Sequence, residues 1–219
     1  MGRLAGILVA FVVVLSGPAA QAAPMTPPPP RTAKLTDQDK ADLARISAYL
    51  NSIHSLRGRF VQIGPNGELD QGRIYLEKPG RLRFEYDPPS PILIVSDGRT
   101  VSVSNSKLKT LDRYPLSSTP LDLILDDKID LGGDKAIAGV MREPGALIVL
   151  AKSRSTRRKP DVRLVFTDPV LELRQWTVID DQGLATTVSL TNLELGVPLN
   201  DTLFVIRDKR KPVGVKDRD

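Results

Sequence analysis

Over most of its length this chain alternates apolar and polar residues with a period of two. In the clearest run, residues 81–86, Leu82, Phe84 and Tyr86 alternate with charged residues. Such alternation is typical of a β-strand with one buried face. Turn signals rich in Gly, Pro, Asn and Asp separate the runs, so consecutive strands are expected to pair as hairpins. The sequence therefore predicts a mostly β protein built on an antiparallel sheet.

The predicted strands follow one another with short turns between most of them. They lie at 56–63, 68–77, 81–86, 92–95, 100–104, 107–112, 135–142, 145–151, 162–167, 170–179 and 185–195, with a last short strand near 203–206. Strands in sequence-adjacent hairpins form a meandering sheet that is curled or partly closed. No repeat period and no second domain is evident. The apolar phase shifts between Leu173 and Trp176, which predicts a β-bulge.

Two helices interrupt this pattern. Residues 36–55 have Thr36 as a good N-cap and carry one apolar stripe at helical spacing. The stripe consists of Leu43, Ile46, Leu50 and Ile53. It covers either a core or, as a lid, a cavity. A second, short helix is expected over 119–125, with Thr119 as N-cap and Pro120 at its first position.

The N-terminal residues are typical of an export signal. Arg3 precedes the apolar run 4–15, which is shorter than the roughly 20 residues of a membrane-spanning helix. Ala20-Gln21-Ala22 offers small residues for cleavage after Ala22 or, alternatively, after Ala23. We therefore expect residues 1–22 to be a signal peptide, with an uncleaved membrane anchor as the alternative. Residues 23–35, rich in proline, are expected to form an extended lead-in.

Composition narrows the function. The chain contains no cysteine and a single histidine, His54. These absences argue against disulfides, Cys-His metal sites, Ser-His triads and a lipid anchor on this chain. A formal net charge of +5 is compatible with nucleic acid, but export argues against that partner. An exported, soluble protein that performs no chemistry of its own is the expectation that remains.

Several short motifs occur in a fixed order along the chain. They are Phe60-Val61-Gln62, Gly72 to Leu76, Lys78-Pro79, Leu82 to Tyr86, Val95-Ser96-Asp97-Gly98-Arg99, Thr119-Pro120 with 121–125, Trp176 to Gly183, and Leu203-Phe204. In order and spacing they resemble the LolA family, periplasmic carriers of outer-membrane lipoproteins. The resemblance covers about 36–206. No single motif is specific, and their order carries the resemblance.

The resemblance implies an incomplete, unclosed antiparallel β-barrel or half-barrel of about 11 strands, with an N-terminal helix and short lid helices over a hydrophobic cavity. This domain would span 36–207 and precede a charged tail, 208–219. The resemblance also implies a periplasmic monomer without cofactor, metal or nucleic acid, and not an enzyme. It would carry lipoprotein acyl chains from an inner-membrane lipoprotein-releasing ABC transporter to an outer-membrane acceptor, where one exists.

The resemblance also implies site residues. The acyl cavity would be lined by Phe60, Leu76, Leu82, Phe84, Tyr86, Ile92, Ile94, Leu121, Ile124 and Trp176. The lid and its latch would include Leu43, Ile46, Leu50 and Lys78. From the residues alone, each of these apolar faces is equally compatible with a closed core. The family has Arg where this chain has Lys78, and a lysine lacks the planar fork that bonds two carbonyls. The latch is therefore expected to be looser, unless Arg81 substitutes.

Other interpretations remain open at this stage. A lipoprotein-sensing regulatory protein of the same half-barrel fold is the alternative function, although such sensors usually carry a further C-terminal domain. A hydrolase would need a nucleophile–base pair that the sequence does not offer. The basic run 153–159 is either a solvated hairpin tip or a docking site for anionic lipid. Asp122, Asp126, Asp127 and Asp130 form either a solvated edge or a transporter contact.

Overall fold

The computed structural model describes residues 35–152, 161–180 and 182–206. Predicted signal residues 1–22, almost all of the lead-in, the basic run 153–159 and the tail 208–219 lie outside these ranges. The first half contains α1 (Asp37–Ser52), β1 (Ser55–Ile63), β2 (Leu69–Glu77), β3 (Arg81–Tyr86), β4 (Ile92–Asp97), β5 (Thr100–Asn105) and β6 (Thr110–Pro115). The second half contains α2 (Asp122–Leu125), β7 (Ile137–Glu143), β8 (Ala146–Lys152), β9 (Asp161–Thr167), β10 (Leu173–Ile179) and β11 (Ala185–Leu195). Two short 3-10 helices lie at Leu116–Ser118 and Asp201–Phe204.

The described strands form one antiparallel sheet in the order β6-β5-β4-β3-β2-β1-β11-β10-β9-β8-β7. The first and last strands of the described sheet, β6 and β7, are not paired with each other, so the barrel is unclosed. Pairing of β1 with β11 joins the two halves, with Phe60 opposite Leu190. This arrangement confirms the predicted mostly β, antiparallel, incomplete barrel.

One face of the sheet curls around a single apolar core, and we call it the inner face. Alternation places Leu82, Phe84 and Tyr86 of β3 on it, all buried. Helix α1 lays Leu43, Ile46 and Leu50 against the same core, and α2 adds Leu123, Ile124 and Leu125. The helices therefore close the opening that the unclosed sheet leaves.

The predicted boundary of α1 is confirmed within a few residues. Thr36 accepts a hydrogen bond from the Asp39 amide, while the Asp39 carboxylate accepts one from the Thr36 amide. This capping box satisfies two donors that the first turn leaves without partners. The predicted bulge is also confirmed, because the register between β9 and β10 shifts between Leu173 and Gln175.

Three local predictions are wrong. The predicted strand 107–112 begins later, at Thr110, because the Asn105 side chain caps the amides of Lys107 and Leu108 in a turn. Thr119 does not cap α2. Its hydroxyl instead donates to the Leu116 carbonyl, which ends the preceding 3-10 helix.

The third wrong prediction is the last strand near 203–206. The Asn200 side chain accepts a hydrogen bond from the Thr202 amide, which starts a 3-10 helix over Asp201–Phe204. Phe204 is buried on the outer face of the sheet, beneath the Arg81 guanidinium at 5.4 Å from the ring centroid. The segment therefore packs across the sheet instead of extending it.

Candidate functional site

The residues predicted to line a cavity lie together on the inner face. Seven of them are buried: Phe60, Leu76, Leu82, Phe84, Tyr86, Ile124 and Trp176. The other three, Ile92, Ile94 and Leu121, are half-buried and pack against the same core. From α1, Leu43, Ile46 and Leu50 complete the cluster. The structure thus brings all thirteen side chains into one apolar cluster; their role toward a ligand stays a prediction.

Aromatic rings form the centre of this cluster. Phe60 contacts Phe84 and Tyr86 edge to face, with both pairs of ring centroids 4.9 Å apart. Phe84 in turn contacts Trp176, with centroids 6.0 Å apart. Edge-to-face pairs stabilise beyond the area they bury. Burial raises the pKa of the Tyr86 hydroxyl, which donates to Gln62 Oε1 at 2.8 Å, so it stays neutral at physiological pH.

The space between α1 and the sheet is almost filled. A cavity of about 10 Å³ lies there. Its walls are Tyr49, Leu50, Ile53, Leu56, Leu76, Lys78, Ile124, Leu173, Leu190 and Leu193. That volume is close to what a single water molecule requires. The site is therefore closed, and an apolar ligand of any length fits only after a covering element moves.

Lys78 lies in the turn between β2 and β3 and reaches α1. Its Nζ donates to the Leu50 carbonyl at 2.7 Å, and its amide donates to the His54 carbonyl at 2.8 Å. Burial lowers the pKa of Lys78 to about 8, against the opposing effect of Asp126 and Asp127. Lys78 thus places one side-chain donor on one carbonyl of α1, and its role as a latch stays a prediction.

Arg81 does not substitute for a latch arginine. It extends from the opposite face of β3, because it alternates with the buried Leu82. Its guanidinium pairs with Glu77 at 3.0 Å and with Asp201 at 2.5 Å on the outer face. That alternative from the sequence is therefore wrong.

Sequence reasoning missed the polar residues that hold α1. Asp42 is buried and pairs with Arg142 of β7. Asn51 forms two hydrogen bonds with the backbone of Ile129, and Ser47 accepts one from the Leu131 amide. A local signal for Asp42 existed, since it precedes Ile46 by one helical turn and so lies on the apolar stripe. Its partner, 100 residues away, has no local signal.

The described ranges also bear on metal binding and on membrane spanning. His54 is exposed beyond the end of α1. Residues 35–152, 161–180 and 182–206 contain no group of three or more His, Cys, Asp or Glu side chains placed to hold a metal ion. Within the same ranges, neither helix has the length and apolar character needed to span a membrane.

Comparison with known proteins gives a match across most of this domain. Residues 51–207 match the family described as outer membrane lipoprotein carrier protein LolA. An outer-membrane lipoprotein carrier protein of Azotobacter vinelandii is 30% identical over 178 residues, covering 75% of this chain and 81% of that protein. One of Pseudomonas syringae pv. syringae is 28% identical over 177 residues, covering 75% and 81%.

Matches to solved structures have lower sequence identity. A LolA superfamily protein from Nitrosomonas europaea matches at 9% identity with a TM-score of 0.41, covering 77% of this chain and 98% of that chain. An uncharacterized conserved protein from Thermus thermophilus matches at 15% identity with a TM-score of 0.45, covering 79% and 94%.

Proposed function

Because the chain belongs to the LolA family of outer membrane lipoprotein carrier proteins, we propose that it binds the acyl chains of lipoproteins on its inner face. In this proposal the protein is exported to the periplasm, loses residues 1–22 and acts there as a monomer. It carries lipoproteins from the inner membrane to the outer membrane. It makes and breaks no covalent bond.

The observation that carries this proposal is one continuous apolar surface that lies beneath helices. The inner face and the helices bury one cluster of apolar side chains. Residues 116–125, which cover part of this surface, contain only a three-residue 3-10 helix and the four-residue α2. Helices this short have little stability of their own, so moderate binding energy suffices to displace them.

The energetics suit a carrier that must both load and unload. Removing a CH₂ group from water contributes about 0.8 kcal/mol, so each acyl chain needs an apolar enclosure. Opening the cover exposes apolar core side chains, which opposes binding. An acyl chain then covers the same side chains again. Because the two terms offset each other, the net affinity stays low enough for release to an acceptor.

The proposed partners follow from this direction of transport. Extracting acylated protein from a bilayer is uphill, so an inner-membrane lipoprotein-releasing ABC transporter is proposed to load the carrier. An outer-membrane acceptor, where one exists, is proposed to unload it. The transfer exchanges one apolar environment for another and needs no cofactor.

The test is lipoprotein release from inner-membrane vesicles. Vesicles that contain the transporter and a labelled lipoprotein are incubated with residues 23–219 and ATP, and the soluble fraction is analysed for a complex. A one-to-one soluble complex that requires ATP supports the proposal. A folded protein that binds a free acylated peptide yet releases nothing from the vesicles supports a lipoprotein sensor and contradicts the carrier function.

A further inference from the structure

The contacts of α1 are distributed unequally over the sheet. Among the described residues, its side-chain hydrogen bonds to other elements reach β7, the β9–β10 turn, the start of β10 and residues 129–131. On the side of β1–β6, the corresponding hydrogen bond is the one that Lys78 donates to the Leu50 carbonyl of α1. Helix α1 is therefore attached mainly to the half of the molecule that contains β7–β10.

A buried carboxylate is the centre of this attachment. The Asp42 side chain is 3% exposed and accepts a hydrogen bond from Arg142 Nε at 2.8 Å, with Arg142 Nη2 in an ion pair with it at 2.7 Å. Arg142 Nη2 also contacts Asp39 at 2.9 Å. Arg45 lies 3.2 Å from Asp42 and connects it to Asp168 of the β9–β10 turn at 2.7 Å. Separating Asp42 from Arg142 would leave a buried charge poorly compensated, so movement of α1 away from β7 is disfavoured.

The second covering element is held differently. Residues 116–125, which we call the cover segment, include a three-residue 3-10 helix and the four-residue α2. Its own residues Leu123, Ile124 and Leu125 are buried. The Gly80 amide donates to the Leu125 carbonyl, and the Leu116 amide donates to the Arg99 carbonyl. Helices this short have little stability of their own. The exposed residues 126–128 follow, and beyond them Ile129 and Leu131 are bonded to α1.

We propose that Asp42 and Arg142 are positioning residues that fix α1 as a stationary wall of the acyl site, and that the cover segment moves to admit the ligand. The assignment of the ligand rests on the function proposed above. The hinge lies at residues 126–128. Acyl chains then reach the inner face between the cover segment and β4, where Ile92, Ile94 and Leu121 are half-buried.

Hydrogen exchange of the free, full-length mature protein tests this directly. Amides of α1 are expected to exchange as slowly as those of β1, while the amides of residues 123–126 exchange roughly 100-fold faster because a local opening frees them. Equal rates for α1 and residues 123–126 would overturn the assignment of the moving element.

A variant tests whether α1 and the cover segment open independently. Arg142→Gln is expected to accelerate exchange of α1 at least about tenfold while leaving residues 123–126 unchanged, because opening of the cover segment does not separate the Asp42–Arg142 pair. Acceleration of residues 123–126 by the same factor as α1 would mean that the cover segment opens only together with the helix, and would overturn the proposal. Arg57→Gln removes the exposed pair with Glu194 and serves as the matched control, with no change expected in α1.

A palmitoylated peptide then links the motion to binding. Its affinity is measured by fluorescence, and exchange is repeated at saturation. Faster exchange in residues 116–128 with unchanged α1 supports the proposal, and faster exchange in α1 contradicts it. If the peptide does not bind, the proposed function fails, while exchange of the free protein still decides which element is fixed.

Discussion

The Nζ atom of Lys78 lies 2.7 Å from the carbonyl oxygen of Leu50 and donates a hydrogen bond to it. This contact joins the β2–β3 turn to the last turn of α1, directly beside the small apolar cavity. The same carbonyl accepts a second hydrogen bond from the Ile53 amide at 3.2 Å. Substituting Lys78 therefore removes this contact to α1, while the Leu50 carbonyl keeps the Ile53 amide as a hydrogen-bond partner.

The first prediction concerns pH. Burial lowers the pKa of Lys78 to about 8, from an ordinary value of 10.5. Between these values the unfolded chain binds more protons than the folded one, so the Lys78 contribution to the free energy of unfolding rises with pH. We expect urea unfolding between pH 8 and 10.5 to show wild type gaining stability relative to Lys78→Met. Parallel pH profiles for the two proteins would contradict the lowered pKa of Lys78 and, with it, the burial of its ammonium group.

The second prediction concerns the asymmetry of the Asp42–Arg142 pair. Asp42 is 3% exposed whereas Arg142 is 40% exposed. Arg142→Gln leaves a buried carboxylate poorly compensated and is expected to cost about 3 kcal/mol. Asp42→Asn leaves a guanidinium that water can reach and is expected to cost less. A double-mutant cycle in urea measures both, and equal single-variant losses would show that burial of Asp42 does not determine the cost.

The third prediction concerns the glycine beneath the aromatic cluster. A Cβ atom at Gly72 would lie 2.1 Å from the Glu85 carbonyl oxygen and 2.8 Å from Phe60 Cε1. Gly72→Ala is therefore expected to cost about 1–3 kcal/mol of unfolding free energy through overpacking. At Gly139, in the edge strand β7, nothing lies within 4 Å of the added atom. Gly139→Ala is the matched control, and similar losses for both variants would refute the steric argument.

The sequence predicted much of the fold because its signals are local. Alternation in β3 and the cap at Thr36 fixed the type and position of their elements within a few residues. The phase shift before Trp176 located a real bulge. These features depend on neighbours along the chain, which a pattern reports directly.

The errors occur where a competing contact decides the structure. Thr119 has the composition of an N-cap, yet its hydroxyl bonds backward to Leu116. Leu203-Phe204 has the composition of a strand, but the Asn200 cap and burial of Phe204 on the outer face favour a 3-10 helix. The Asp42–Arg142 pair spans 100 residues and depends on the tertiary fold. The sequence therefore predicted the apolar cluster well and its polar attachments poorly.

The central claim is that the inner face of the sheet holds acyl chains. Ile94 lies on that face opposite Phe84, and its neighbour Leu93 lies on the outer face opposite Glu85, with both side chains half-buried. A photo-crosslinking amino acid is placed at either position, and adducts formed with a triacylated lipoprotein are identified by mass spectrometry. We predict that position 94 crosslinks to an acyl chain and position 93 does not. Equal adducts at both positions, or none to acyl chains at position 94 in a folded protein, would contradict the account.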